Sequence, residues 1–331
     1  MIRIGILSVA HLHAEAYIGN LRANPNVEFI GIADEDTERG QQYAIQFQSP
    51  LFESYNAMLA SKPDAVIVCS ENSRHRPLVE MAAQAGVHVL CEKPLATTVT
   101  DAEAMVAACK AANVKLMTAF PMRFSTPLQE VKRMLDTGGL GQVYAVNSTN
   151  QGECPKHHRG WFVDKELAGG GAVSDHVVHL ADVLAWYLQS DVTEVYATAN
   201  DILYPGETEV ETGGLVMLSY ANGAFATIDC SWSKPPYYPT WGGLALDLIG
   251  EKGLVTANAF KQVMTVYRHD LQRPTYAYWG SDANQAMVDE FVNCILENRA
   301  PAVTGEDGLR AVRIVEAAYR SIMAQEVVKI S

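Results

Sequence analysis

Over the first 120 residues of this chain, short apolar runs rich in β-branched residues take turns with helical stretches, and no other feature restricts the fold as much. Apolar strands separated by helices are the pattern of a parallel sheet covered on both faces, because each crossover helix lies over the sheet that it connects. The spacing predicts strands at Ile2–Leu7, Val27–Ala33, Ala65–Cys69, His88–Cys91 and Lys115–Ala119. Helices are expected over Ala14–Ala23, Thr37–Gln46, Tyr55–Ala60, Arg76–Ala85 and Thr100–Ala112. Gly86 closes the fourth, and a Thr100-x-x-Glu103 capping box opens the fifth. Right-handed crossovers then give an open doubly wound sheet, which binds ligands beyond the carboxyl ends of its strands.

After Arg123 the texture changes. A helix from Pro127 to Leu135, capped by Thr126 with Gln129, leads into a strand-rich half with candidates at Val143–Thr149, Val192–Thr198, Gly214–Tyr220, Ala224–Ser231 and Leu244–Ile249. Asn222-Gly223 is a two-residue hairpin turn between the third and fourth. Helices Val173–Leu188, Asn284–Leu296 and Gly308–Met323 complete it. The expected architecture is α/β: an N-terminal doubly wound parallel-sheet (Rossmann) domain, residues 1–121, then a C-terminal α+β domain, residues 122–331, built on a large open, mostly antiparallel sheet. A length of 331 residues agrees with two domains of ~150 each.

Charge and cysteine content narrow the partners. Lys plus Arg number 25 against 38 Asp plus Glu, a net −13 that disfavours nucleic acid and anionic membranes, since both select a basic patch. Six widely spaced cysteines without a C-x-x-C pair read as reduced thiols. Met1-Ile2-Arg3 runs directly into a strand, and no apolar run reaches the ~18 residues of a membrane span, so a cytoplasmic protein is expected.

A dinucleotide fold places G-x-G-x-x-G after its first strand, where glycine permits a tight turn and close approach of the pyrophosphate. Here Ser8, Ala10 and His13 stand at those three positions. Ser8 and Ala10 are the next smallest residues, and the helix start still offers free N–H groups to an anion. His11 and His13 either face solvent there or meet phosphate. Asp34, 26 residues after Ser8 at the end of strand two, is placed to accept hydrogen bonds from the adenosine ribose, although Asp34-Glu35-Asp36 also suits a helix cap. Asp34, Glu35, Asp36 and Glu38 would repel a 2′-phosphate with only Arg39 opposing them, so NAD is expected over NADP.

Strand four leads to Cys69-Ser70-Glu71-Asn72-Ser73-Arg74-His75 and strand five to Cys91-Glu92-Lys93-Pro94, both at the ligand-binding edge. The segment Ala85-Gly86-Val87-His88-Val89-Leu90-Cys91-Glu92-Lys93-Pro94 resembles the signature of the Gfo/Idh/MocA oxidoreductase family. The resemblance continues through Asn72-x-x-His75, Arg123-Phe124, Gly169-Gly170-Gly171, Asp175-x-x-x-His179 and Gly250-Glu251-Lys252-Gly253, nearly the whole chain. It implies that Lys93 lies beside the nicotinamide and the reacting hydroxyl. It implies also that Asn72, His75 and Glu92, with Ser70 at the same edge, line the cofactor pocket, and that Asp175 and His179 reach the substrate. Arg123 and Trp161 are further candidates for substrate contact. Members of the family commonly assemble through the open sheet face, which makes a homodimer or homotetramer the expectation.

The chemistry asks for the same residue types. Removing a hydride from a carbinol carbon requires the hydroxyl to lose its proton, so a base must stand within hydrogen-bond reach. His179 or Lys93 can serve, and a lysine can instead act as a cation that stabilises the alkoxide-like transition state. Four residues apart on a helix, Asp175 and His179 share one face, which lets Asp175 orient His179 or bind a substrate hydroxyl. His157, His158, Asp175, His176 and His179 also form a metal-like grouping. Hydride transfer to NAD needs no metal in this family and His176 is expected to point away from Asp175, so no metal is expected. The sequence thus reads as an NAD(H)-dependent oxidoreductase acting on a hydroxyl or carbonyl of a sugar, cyclitol or related polyol. The alternative is a catalytically silent dinucleotide- or sugar-sensing protein of the same fold.

Overall fold

The computed structural model describes residues 1–330. Its first strands are β1 (Ile2–Leu7), β2 (Val27–Ala33), β3 (Leu51–Phe52), β4 (Ala65–Val68), β5 (His88–Cys91) and β6 (Leu116–Thr118). Helices α1 (Ala14–Ala23), α2 (Thr37–Gln46), α3 (Tyr55–Ala60), α4 (His75–Gln84) and α5 (Val99–Ala111) join them. The strands lie parallel in the order β3-β2-β1-β4-β5-β6. Alternate side chains feed two apolar layers: Ile4, Ile6, Ile67 and Leu90 on one face, Leu7, Val66, Val68 and Val89 on the other. Each such side chain contributes ~1.5–3 kcal/mol on leaving water, and that is why these strands carry almost no polar residue. The order reverses between β1 and β4, which opens a crevice at their carboxyl ends.

The second half comprises α6 (Thr126–Asp136), β7 (Val143–Glu153), α7 (Lys165–Ala168), α8 (Ala172–Leu188), β8 (Val192–Asn200), β9 (Gly213–Tyr220), β10 (Phe225–Lys234), β11 (Leu244–Gly250) and β12 (Gly253–Asn258). There follow a hairpin of β13 (Val263–Arg268) and β14 (Arg273–Tyr278), then α9 (Ala283–Leu296), α10 (Gly305–Ala324) and β15 (Val328–Lys329). The large sheet runs β12-β11-β7-β10-β9-β8-β15, and only its β7–β10 pair is parallel. Helices α8 and α10 cover one face. The other leaves Tyr144, Tyr196, Leu215, Met217, Phe225 and Ile249 exposed at alternating positions.

Several boundaries differ from expectation. Helix α5 is capped by Thr98, whose hydroxyl accepts from the Asp101 amide, and this leaves Thr100 inside the first turn instead of at the cap. Helix α6 begins at Thr126 with Ser125 at its cap and no side-chain cap bond, its start set by Pro127. Helix α10 begins at Gly305, three residues before the expected start, with a capping box between Thr304 and Asp307. β3, β12, β13, β14 and β15 were not anticipated.

The last helices return to the first sheet. Thr118 Oγ1 on β6 donates to Thr304 O, and the Val99 amide at the start of α5 donates to Glu316 of α10. Asn20 within α1 and Asn24 at its C-cap donate to Gln285 and Asp289 of α9. All six cysteines are buried free thiols, and no helix among the described residues is long and apolar enough to cross a membrane.

Candidate active site and cofactor crevice

A cavity of about 450 Å³ lies where the carboxyl edge of the first sheet faces α8 and the large sheet, with Lys93, Asn150, Asp175, His176 and His179 at its inner end. Lys93 gets there because it stands two residues beyond the carboxyl end of β5. Gly171 caps the start of α8, and a Cβ there would stand 1.9 Å from Glu211 O, so only glycine permits the approach. The Glu211 carboxylate accepts from the Gly171 and Val173 amides at 3.0 Å each and takes the place of an N-cap side chain.

Asp175 Oδ1 accepts from Lys93 Nζ at 2.5 Å. Its Oδ2 meets Trp232 Nε1 at 3.1 Å and His176 Nε2 at 3.2 Å. His176 Nδ1 faces Asn150 Oδ1 at 3.0 Å, and Asn150 Nδ2 donates to His176 O at 2.9 Å. This corrects two expectations. Asp175 orients Lys93 and not His179, and His176 turns toward Asp175 because Asn150 on β7 holds its ring from the far side. Burial alone would raise the Asp175 carboxyl, but Lys93 and His176 outweigh it and hold it well below the usual carboxylate range. His179 lines the same cavity with Nδ1 buried and unpartnered. Burial, aided by the Lys93 charge, pushes its imidazole well below the ordinary histidine value, so the ring is in its neutral form.

The crevice at β1 is built differently. Ser8 stands at the first fingerprint position with φ of 65°, the left-handed conformation that glycine adopts without strain. Its hydroxyl lies 3.3 Å from Asp34 Oδ2 and accepts from the Ala10 amide at 3.2 Å. Asp34 also accepts from the Val9 amide at 2.7 Å and from the Arg39 fork at 2.7 and 3.0 Å. Arg39 is therefore folded onto Asp34, a closer counterweight than the sequence suggested. Glu92 accepts from Tyr17 OH at 2.6 Å and His13 Nδ1 at 2.9 Å. Its burial is outweighed by His11, His13 and these bonds, which hold the carboxyl well below its ordinary value.

His11 is buried, not solvent-facing: it packs 5.2 Å from the Phe162 ring, and its Nδ1 accepts from the His13 amide. His75 does not open onto the crevice. Its Nδ1 faces the Pro94 and Leu95 carbonyls at 3.0 and 3.2 Å, and Nε2 faces Ser70 O, so it holds the loop that carries Lys93. Ser70 donates to Glu71 O, and Asn72 Nδ2 donates to Ala168 O. Trp161 lies away from the inner cavity; it stacks on Phe162 and donates to Ala10 O beside an Arg159 bond to the same carbonyl. Arg123 does not reach the cavity either, because Asp182 grips it at 2.8 and 2.5 Å with Asp307 at 3.1 Å.

The grouping of His157, His158, Asp175, His176 and His179 is not assembled: His157 and His158 are exposed, and His158 packs edge-on to Trp241. His11, His13 and Glu92 bring ligand atoms within 4.8 Å of one another, but His13 N–H uses the Nδ1 lone pair of His11, and Tyr17 and His13 fill Glu92 Oε1. A dinucleotide fits the crevice better. Asn72 Oδ1 and His11 Nε2 are buried there without partners, next to the start of α1, and offer an acceptor and a ring nitrogen to a polar ligand. Sequence reasoning missed Trp232, Asn150, Glu211 and Tyr17; a lone tryptophan at a buried position of an alternating strand was the one usable signal.

Residues 2–120 match the model of an oxidoreductase family with an NAD-binding Rossmann fold, and residues 128–256 match that of the GFO/IDH/MocA C-terminal domain. The chain is 30% identical to D-xylose 1-dehydrogenase (NADP(+)) 2 of Haloferax volcanii over 96% of both chains. It is 26% identical to myo-inositol 2-dehydrogenase of Thermotoga maritima, over 99% of this chain and 97% of that one. Among solved structures, the aldose-aldose oxidoreductase of Caulobacter crescentus complexed with glycerol superposes with a TM-score of 0.84 at 27% identity, over 99% of each chain.

Proposed function

Because the chain belongs to the Gfo/Idh/MocA oxidoreductase family, we propose that it uses NAD to oxidise a secondary hydroxyl of a sugar, cyclitol or related polyol, or to reduce the matching carbonyl, at the inner end of this cavity. The observation that carries this reading is the pairing of a fixed cation with a neutral base: Lys93 held by Asp175, and His179 unpartnered beside it. NAD, when bound, supplies the hydride acceptor. Lys93 orients the substrate hydroxyl and stabilises negative charge developing on its oxygen, while His179 takes its proton. Asp175, braced by Trp232 and His176, keeps the Lys93 ammonium in one place. A silent sensor would have no use for that arrangement.

Ser8, Ala10, His11, His13, Asp34 and Asn72 form the cofactor side, and Glu92 holds His13 and Tyr17 in place there. Residues 1–121 serve as the dinucleotide domain and 122–331 as the substrate and assembly domain. The exposed apolar face of the large sheet supports a homodimer or homotetramer, since a free monomer would leave a wide apolar surface in water. The buried free thiols suit the cytoplasm. A panel of free aldoses and polyols with NAD, read as NADH absorbance, tests the activity; NAD binding by calorimetry together with a flat panel would return the reading to a sensor.

A further inference from the structure

The cavity has an outer end that hydride chemistry does not use. It is framed by the Thr240–Gly242 loop, the β13–β14 hairpin and the start of α9. Trp241, Phe260, Tyr278 and Trp279 line it, with Tyr278 62% and Trp279 55% exposed, against 5% for Lys93 at the inner end. Two of these rings are held in place: the Tyr278 hydroxyl donates to Pro239 O, and His158 braces Trp241 edge-on at 4.6 Å. Gln262 and Asn284 stand among them with amide donors and acceptors. Among the described residues, no lysine or arginine lines this end; nearby Lys234 is buried behind the loop, its ammonium bonded to Gly242 O at 2.6 Å.

Flat rings beside amides match one ligand chemistry, an apolar C–H face with a hydroxyl rim. A phosphorylated or nucleotide-linked sugar would instead require cations for its phosphates. The volume of about 450 Å³ lies within the ~300–1,000 Å³ of sites that bury ligands larger than one sugar ring. We propose that the outer end is a second saccharide subsite and that the preferred substrate is a neutral glycoside of two linked sugar rings. The oxidised ring lies against Lys93 and His179, and its neighbour lies on Trp241 and Trp279. This rests on the dehydrogenase reading above. One ring alone leaves the indoles in water, whereas the second covers them and gains area that a free monosaccharide does not.

The test is calorimetric titration of the NADH-loaded protein with D-glucose, D-galactose and D-xylose, and with cellobiose, maltose, lactose and xylobiose, beside turnover of the same sugars with NAD. At least one disaccharide should bind tenfold or more tightly than its component sugars. Trp241→Ala and Trp279→Ala should bring that ratio within twofold of one, while Trp279→Phe keeps most of it. Disaccharides binding no better than monosaccharides, a ratio untouched by both alanine variants, or no saccharide bound at all would overturn the subsite. A disaccharide that binds as described but yields no NADH leaves the subsite standing and removes the dehydrogenase reading; turnover of free sugars without preference for their dimers does the reverse.

Discussion

The inner cavity and the β1 crevice solve opposite problems. Around Asp175 both carboxylate oxygens are taken, by Lys93 on one side and by Trp232 and His176 on the other, so a side chain is held in one position by partners from the loop after β5, from α8 and from β10. At Ser8 the positive φ is strained for a non-glycine residue, and the bonds of Asp34 to the Ser8 hydroxyl and the Val9 amide fix the path of the backbone. Chemistry is secured by a bonded network and cofactor approach by backbone shape. The two regions should therefore break differently, the first in turnover and the second in affinity and stability.

The largest effect is expected at the network. Lys93→Met should lower kcat by ~10²-fold or more with NADH affinity within a few-fold, because charge stabilisation is lost while the crevice stays intact. Near-full kcat in this variant would show that the ion pair with Asp175 is only structural. At the crevice, NAD should bind at least tenfold tighter than NADP, a difference of ~1.4 kcal/mol. Asp34→Ala should weaken NAD and narrow that ratio about tenfold, since Arg39, released from its fork, becomes available to a 2′-phosphate. Unchanged selectivity by calorimetry would remove Asp34 from cofactor choice.

The third expectation spans both regions. Burial lowers His11, His75 and His179 from an ordinary value of 6.5, so below that pH the unfolded chain binds protons that the folded chain refuses. Their contribution is complete above pH 6.5 and is lost as pH falls, at up to ~1.4 kcal/mol per unit for each ring. The Tm should fall between pH 7 and 5.5, less steeply in His75→Gln. A level Tm in the wild type would mean that the rings are accessible to protons.

The smallest effect separates strain from bonding at Ser8. Ser8→Ala loses the hydroxyl bonds and keeps the left-handed strain, whereas Ser8→Gly loses the bonds and relieves a strain of ~1–2 kcal/mol. Ser8→Gly should melt above Ser8→Ala, with NADH bound at least as tightly as by the wild type. The reverse order of melting would place the importance of Ser8 in its hydroxyl alone.

The sequence disclosed those parts of the molecule whose signals are local. β1 to β6, apart from two-residue β3, announced themselves as buried apolar runs, and Lys93, Asp175 and His179 stood at ends and faces that the topology brings to one cavity. What it withheld depends on distant partners. Nothing beside Gly171 indicates that its cap is Glu211, 40 residues on, nor does the Asp175-His176 pair indicate that Asn150 turns the histidine inward. Arg123 looked available until Asp182 and Asp307 claimed it. The β13–β14 hairpin pairs only with itself and lies largely in solvent, so it carries no one-sided alternation to read.

The return of α10 to α5 and β6 bears on how this chain is made. A ribosome releases the first sheet early, yet one wall of that sheet consists of residues made much later, with Thr304 closing onto Thr118 from 186 residues away and Glu316 onto Val99 from 217. Until then β6 and α5 present an uncovered apolar flank, so the early half of the nascent chain waits, incompletely sealed, for almost all of the later half.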